Sequence, residues 1–208
     1  MANLENFNQS PFNKLRKDRF LLVLNLPDSL KKINSQFNRN EDNLNLSTMQ
    51  FSVYGATIPE IVIPQVDIIY GGQSYVQSSF HRPLWEPVTV NFTVDNRMNN
   101  YWVIYSWLNL LNDAETGIYD TKNLTNRPAE LRNIKPSIES IAEYTTDISI
   151  FLLDEYDKRV VEFLFKKSFP TSLGGMNLNY RTADEIETSF AFAYSQFIVK
   201  LVENVDNL

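Results

Sequence analysis

The stretch PVTVNFTVD, residues 87–95, alternates without a break. Val88, Val90, Phe92 and Val94 fall on one side of an extended chain, and Thr89, Asn91, Thr93 and Asp95 on the other. A period of two sustained this long marks a strand with one buried face, so the rest of the chain must supply a second apolar layer to cover it. The period then changes. In MNNYWVIYSWLNLLND, residues 98–113, Tyr101, Ile104, Leu108 and Leu111 recur at helical spacing with Tyr105 beside them, which predicts one substantial helix. Asp95 or Asn96 is placed to cap its start.

The remaining apolar segments read as strands. FLLVLNL (20–26) is a short run stopped by Pro27, which fits a strand buried on both faces. SLKKIN is one possible helical turn, and residues 34–47 form a polar loop. From residue 49 to 76 the chain is β-like, with Pro59 and Pro64 confining its strands to edges or bends. DISIFLLDEYDKRVVEFLFKKSF predicts a hairpin that turns over Asp154–Lys158 and sets Ile148, Ile150 and Leu152 across from Val161, Phe163 and Phe165. FPTSLGG reads as a corner. EIETSFAFAYSQFIVKLV reads as the last long strand, with Ile186, Thr188, Phe190, Phe192 and Tyr194 on one face.

These elements predict a mainly β fold with one α-helix and five to eight strands, arranged as a β-sandwich or partial barrel. The 208 residues, 43% of them hydrophobic, can fill one sizeable core. The expected organisation is a polar N-terminal arm (1–18), one domain (19–200) with a polar loop extension (113–146), and a C-terminal tail (201–208).

Chemistry is sparse. The chain has no cysteine, which removes disulfides, thiolate zinc sites and thiol catalysis. The only histidine is His81, in SSFHRPLWEP, where a surface or loop position explains it without a catalytic role; no G-x-S-x-G elbow accompanies it. Asp154, Glu155 and Asp157 lack calcium-loop spacing and sit where a turn is expected, while Glu185 and Glu187 share one face of the last strand. No cofactor, metal or catalytic residue is expected. A net charge of −6 argues against a grip on nucleic-acid backbone. The N-terminus shows no apolar signal segment, and no run is long enough to span a membrane.

DIIYGGQSYV, residues 67–76, holds the most informative glycines. Gly71–Gly72 lacks the Lys-Ser/Thr of a phosphate loop and suits a two-residue turn of the I′ or II′ kind. The flanking strands carry Gln and Ser on parts of both faces, so the hairpin is not expected to be one-sided. It presents edges that only Asp67 blunts, which admits either a projecting surface hairpin or strand pairing between subunits.

The order of these features resembles the tail tube proteins of contractile-tailed, T-even-like bacteriophages. The pieces that carry the resemblance are IPEIVIP, the hairpin, LWEPVTVNFTVD, the helix, NRPAELRNIKP, FPTSLGGMNLNY and EIETSFAFAYSQF, over roughly residues 18–198. The resemblance implies a β-sandwich whose subunits form hexameric rings, with hairpins of neighbours joined into one barrel. Rings stack into an inner tube inside a sheath, and double-stranded DNA passes through the lumen without specific binding. It further implies a sheath protein and a baseplate or tube initiator as partners, and a place in the virion after assembly in the host cytoplasm. On it, Ile69, Tyr70, Gly71, Gly72, Gln73, Tyr75, Phe190, Phe192 and Tyr194 are candidates for the shared barrel. The arm and the loops 34–47 and 113–146 are candidates for ring stacking or sheath contact. A tube initiator, or the inner tube of a related contractile injection system, is the neighbouring reading. A β-sandwich carbohydrate-binding module using Trp85, or an enzyme using His81, would belong to another class.

Overall fold

The computed structural model describes residues 14–27, 30, 52–112, 114, 141, 144–181 and 183–202. The arm before residue 14, the SLKKIN turn apart from Leu30, the loop 34–47, nearly all of 113–143 and the tail beyond 202 lie outside the described residues. Among the described residues are nine strands and one long helix, in the order β1 (Phe20–Leu24), β2 (Val53–Ala56), β3 (Gln65–Tyr70), β4 (Gln73–Ser78), β5 (Val88–Thr93), α1 (Asn99–Leu111), β6 (Thr146–Leu153), β7 (Arg159–Leu173), β8 (Glu187–Ala193) and β9 (Gln196–Leu201). The fold is mainly β with one long helix, as the sequence predicts. Its sheets are antiparallel, and the described residues hold nine strands where five to eight were expected.

The long strand β7 organises it. Its first half pairs with β6 on one side and β9 on the other, and β1 extends that half beyond β6. Its second half pairs with β8, which leads on to β5 and then β2. One ribbon, β7 against β8 and β9, therefore runs through both halves of the sheet. The change of half falls at a bulge: Lys166 and Lys167 together oppose Asp147, and Lys167 takes a left-handed φ of 53°. The amide that the bulge frees is not lost, because Lys167 N donates to Asp147 Oδ1 at 3.0 Å.

Three expectations change here. Residues 186–197 are not one strand, since the pairing breaks at Tyr194–Ser195 and the two pieces join different halves. Nor is FPTSLGG the corner: Phe169–Leu173 is still strand, and the corner lies just before it. Strand β1 is also an edge strand whose Leu22 and Leu24 face the core, rather than a strand buried on both faces. The β6–β7 hairpin pairs in the expected register, with Ile148, Ile150 and Leu152 opposite Phe165, Phe163 and Val161. Asp154 Oδ1 accepts the amides of Tyr156 and Lys158 across its turn.

The core is aromatic. Phe165 is fully buried, with ring centroids 5.3 Å from Phe192, 5.0 Å from Tyr194 and 5.0 Å from Phe197. Val88, Val90 and Phe92 of β5 meet this layer, as their alternation requires. Helix α1 adds Val103, Ile104, Trp107 and Leu110, and Trp107 Nε1 donates to the carbonyl of Tyr144 at 2.8 Å. Its buried face is turned from the expected one, for Tyr105 is exposed while Asn100 and Ser106 are buried. Asp95 does serve the helix start, though from three residues before Met98: Oδ1 accepts the amides of Arg97 and Asn99 at 2.9 and 2.8 Å. Asn100 Nδ2 returns a bond to the carbonyl of Thr93, tying helix to strand.

Candidate intersubunit hairpin

Between β2 and β5 the chain leaves the core and makes a two-stranded sheet of its own, β3 with β4. Every residue of both strands is exposed. Gly71 and Gly72 take φ of 60° and 78°, and left-handed geometry at both central positions identifies a type I′ turn. No atom lies within 4 Å of a Cβ built on either glycine, so backbone conformation rather than crowding calls for Gly here.

Register determines which groups point where. Tyr70 faces Gln73 across the turn, followed by Ile69 with Ser74, Ile68 with Tyr75, Asp67 with Val76, Val66 with Gln77 and Gln65 with Ser78. Opposed residues share a face, so one face carries Val66, Ile68, Tyr70, Gln73, Tyr75 and Gln77. The other carries Gln65, Asp67, Ile69, Ser74, Val76 and Ser78. The hairpin is thus more one-sided than its sequence suggests, with one face holding Val66, Ile68 and both tyrosines and a more polar face holding Asp67.

In a two-residue hairpin the pair next to the turn exchanges both backbone hydrogen bonds, and alternate pairs do so thereafter. Tyr70, Ile68 and Val66 therefore bond inward, whereas the amides and carbonyls of Ile69 and Asp67 point away from β4. The ladder's far end keeps this phase: Ser79 N donates to the carbonyl of Pro64 at 2.9 Å, and Pro64, lacking an N–H, ends the pairing. Both outer edges of the hairpin lack a strand partner among the described residues. A two-stranded ribbon with open edges and two wet faces is marginal in water by itself.

The hairpin is fastened at its base. On the return segment 81–87, Trp85 packs on Phe197 at 5.6 Å and on Tyr194 at 6.2 Å between ring centroids. The Arg82 guanidinium lies 5.9 Å from the Trp85 ring centre. Phe80 before it is left-handed, with φ of 54°, and exposed. Trp85, noted in the sequence as a possible stacking platform, is engaged with the core.

The other barrel candidates lie elsewhere. Phe190, Phe192 and Tyr194 are buried in the chain's own core, and β8 is hydrogen-bonded along both edges, to β5 and β7. The structure does not bring them together with Ile69, Tyr70, Gly71, Gly72, Gln73 and Tyr75. Burial, with Glu86 nearby, pushes the Tyr194 hydroxyl up to about 12, and it has no hydrogen-bond partner among the described residues. His81 is exposed, its amide donating to Ser79 Oγ at 3.3 Å. Glu185 belongs to the loop before β8, not to the strand face it was expected to share with Glu187. Among the described residues no group of three or more His, Asp or Glu could hold a metal, and no helix is long and apolar enough to cross a membrane.

A family model described as phage tail tube protein matches residues 15–200. Among solved structures, the chain is similar to one from the sheath–tube complex of an extracellular contractile injection system, at 11% identity and a TM-score of 0.55, covering 92% of this chain and 95% of that one. It is also similar to the tube-terminating cap of the anti-feeding prophage, at 15% identity and 0.57, covering 97% and 100%. A sheath/tube terminator of the injection system matches at 12% identity and 0.51, covering 92% and 99%. At these identities the solved structures share the fold. No curated protein matches the sequence.

Proposed function

The chain belongs to the phage tail tube protein family, and on that premise we propose that it is the subunit of an inner tail tube, assembling as stacked hexameric rings around a channel for DNA ejection. The observation that carries this reading is the hairpin. An exposed β3–β4 ribbon with two open edges is a liability in a monomer and a connector in an assembly. Pairing its edges with a neighbouring subunit satisfies the amides and carbonyls of Ile69 and Asp67 and covers Tyr70 and Tyr75. Gly71 and Gly72 supply the turn, and Gln73 closes it. Strand β8 is then a wall strand of the shared barrel, with Phe190, Phe192 and Tyr194 holding that wall to the subunit's core.

The charge balance agrees with a conduit. A net charge of −6 per subunit lets DNA pass without holding it, because a wall that is neutral or acidic offers phosphate no counter-charge. The role is structural and not enzymatic, with a sheath protein outside and a baseplate initiator at one end, and its place is the virion. The arm and the loops 34–47 and 113–146 are surfaces for stacking or sheath contact. The matches to a tube-terminating cap and a sheath/tube terminator favour a second reading within the same class, a subunit that starts or ends a tube. A carbohydrate-binding role has less support, since Trp85 is occupied by Phe197 and Tyr194.

Electron microscopy of the purified chain at rising concentration tests the proposal. Rings or hollow tubes are expected. A protein that stays monomeric at high concentration overturns it.

A further inference from the structure

A basic segment lies near the start of β7, beside a turn that also holds Asp154, Glu155 and Asp157. An acidic loop lies beyond the far end of that strand. At its start, β1 lies beside the β6–β7 turn: Leu153 N donates to the carbonyl of Arg19, and the Arg19 guanidinium pairs with Asp157. The exposed segment that leads into β1, residues 14–19, holds Lys14, Arg16, Lys17 and Arg19 against a single carboxylate, Asp18. Arg16 is held by Asp18 at 2.7 Å, which leaves Lys14 and Lys17 as cations that neither pair neutralises. Leu15, between them, is exposed.

Beyond the far end of β7, the loop to β8 folds round an open cleft of about 880 Å³. Leu178, Tyr180, Asp184, Glu185, Ile186 and Glu187 are among the residues that line it, and no Lys or Arg among the described residues does. Arg181 is next in sequence but does not line the cleft. Tyr180 is fully exposed and Leu178 three-quarters exposed. The cleft thus sets exposed apolar and aromatic side chains beside three carboxylates. It fits a short cationic segment with an apolar residue in the middle, which is what Lys14-Leu15-Arg16-Lys17 is.

The two cannot meet within one chain. Arg19 is fixed at the start of β7, and five residues reach at most about 18 Å. The ends of a 15-residue strand bent once at its middle stay about 30 Å apart even for a right-angle bend, at about 3.3 Å per residue. The contact must therefore join two copies, head to tail. A heterologous contact closes a ring where its rotation closes and extends an assembly where it does not. With the β3–β4 hairpin already given to the joint within a ring, this contact is left to extend the assembly from ring to ring.

We propose that residues 14–17 of one copy dock in the 177–187 cleft of a second copy, and that this contact joins successive rings. It rests on the tube reading and adds the contact that stacks it. Lys14 and Lys17 meet Asp184 and Glu185, and Leu15 lies on Leu178 and Tyr180. A surface contact made of ion pairs is screened by salt, so stacking weakens as ionic strength rises.

The test uses charge reversal. Lys14→Glu with Lys17→Glu is expected to raise the concentration needed for tubes by roughly tenfold or more, as is Asp184→Lys with Glu185→Lys. Combining all four is expected to restore assembly to within about twofold of the original, which mere misfolding would not do. Since the natural chain has no cysteine, a chain carrying Leu15→Cys and Leu178→Cys gives an independent reading: oxidation should produce a ladder of linked subunits. Tubes that form equally well after either reversal, or assembled protein that gives no ladder, overturn the docking contact alone. If the unaltered chain forms neither rings nor tubes, the tube reading fails; a ladder still appearing between soluble copies would show that the docking contact stands without it.

Discussion

Trp85 meets Phe197 edge to face, with ring centroids 5.6 Å apart and planes at 77°. One ring sits on the segment that returns from the exposed hairpin, the other on β9 in the core, so this single contact sets where the hairpin leaves the body. An edge-to-face aromatic pair adds about 1 kcal/mol to the apolar area it buries.

Replacing Trp85 by Ala is expected to cost about 2 kcal/mol, because the ring is half-buried and leaves a gap over Phe197 and Tyr194. Urea unfolding measures the cost, and chymotryptic cleavage after Leu84, exposed beside Trp85, reports release of the segment. If neither the midpoint nor the cleavage rate moves, Trp85 does not anchor the hairpin.

The outward phase of Ile69 separates two proline variants. Ile69→Pro removes an amide that points away from β4, so the subunit should keep its stability and its hairpin while assembly stops. Ile68→Pro removes an inward amide and should open the hairpin itself, which amide exchange on Tyr75 would register. Tubes of Ile69→Pro indistinguishable from the parent's would remove this edge from the contact.

Tyr194 gives a pH dependence with a definite sign. Its folded value, about 12, lies above the ordinary tyrosine value, so the folded state keeps the proton longer than the unfolded state. Stability is therefore unaffected by this group below about pH 10 and falls as pH rises from there towards 12. Tyr54, raised by burial and by Glu187, acts in the same direction. Tyr194→Phe should unfold no more easily at neutral pH, since the hydroxyl it removes makes no hydrogen bond among the described residues, and should lose part of the alkaline decline. Denaturation of both proteins at pH 7 and pH 11 checks this.

Gly174 opens the loop after β7 where backbones nearly touch. A Cβ there would stand 2.9 Å from Thr188 Oγ1 and 3.0 Å from the carbonyl of Ser189. Gly174→Ala should destabilise by about 1–3 kcal/mol by pushing the β7–β8 ribbon apart. Gly175, with nothing within 4 Å, should accept Ala freely. Equal thermal midpoints for the two variants would contradict this.

Local pattern carried much of the fold. The β6–β7 register was legible because an acidic turn and three apolar pairs agree on it, and β5 because its alternation admits one face only. The helix face was misread, since the hydrophobic period counts Tyr105 as core and Asn100 as surface. Asn100 is buried because its side chain bonds to Thr93, a partner seven residues away that no periodicity reveals. The corner at Lys167 depends on Asp147, twenty residues earlier, and so was also hidden. For the candidate contact, the glycine turn announced the hairpin. Phe190, Phe192 and Tyr194 already alternated as inward residues, and their own pattern argued for the core.

The edge that Ile69 and Asp67 present is made of amides and carbonyls, and these are identical in every polypeptide. A joint read through them is blind to side chains, which lets a family drift far in sequence while its subunits go on fitting each other. The same blindness would let unlike subunits made in one cell join a common polymer. Discrimination between self and stranger must then reside in surfaces where side chains do the reading.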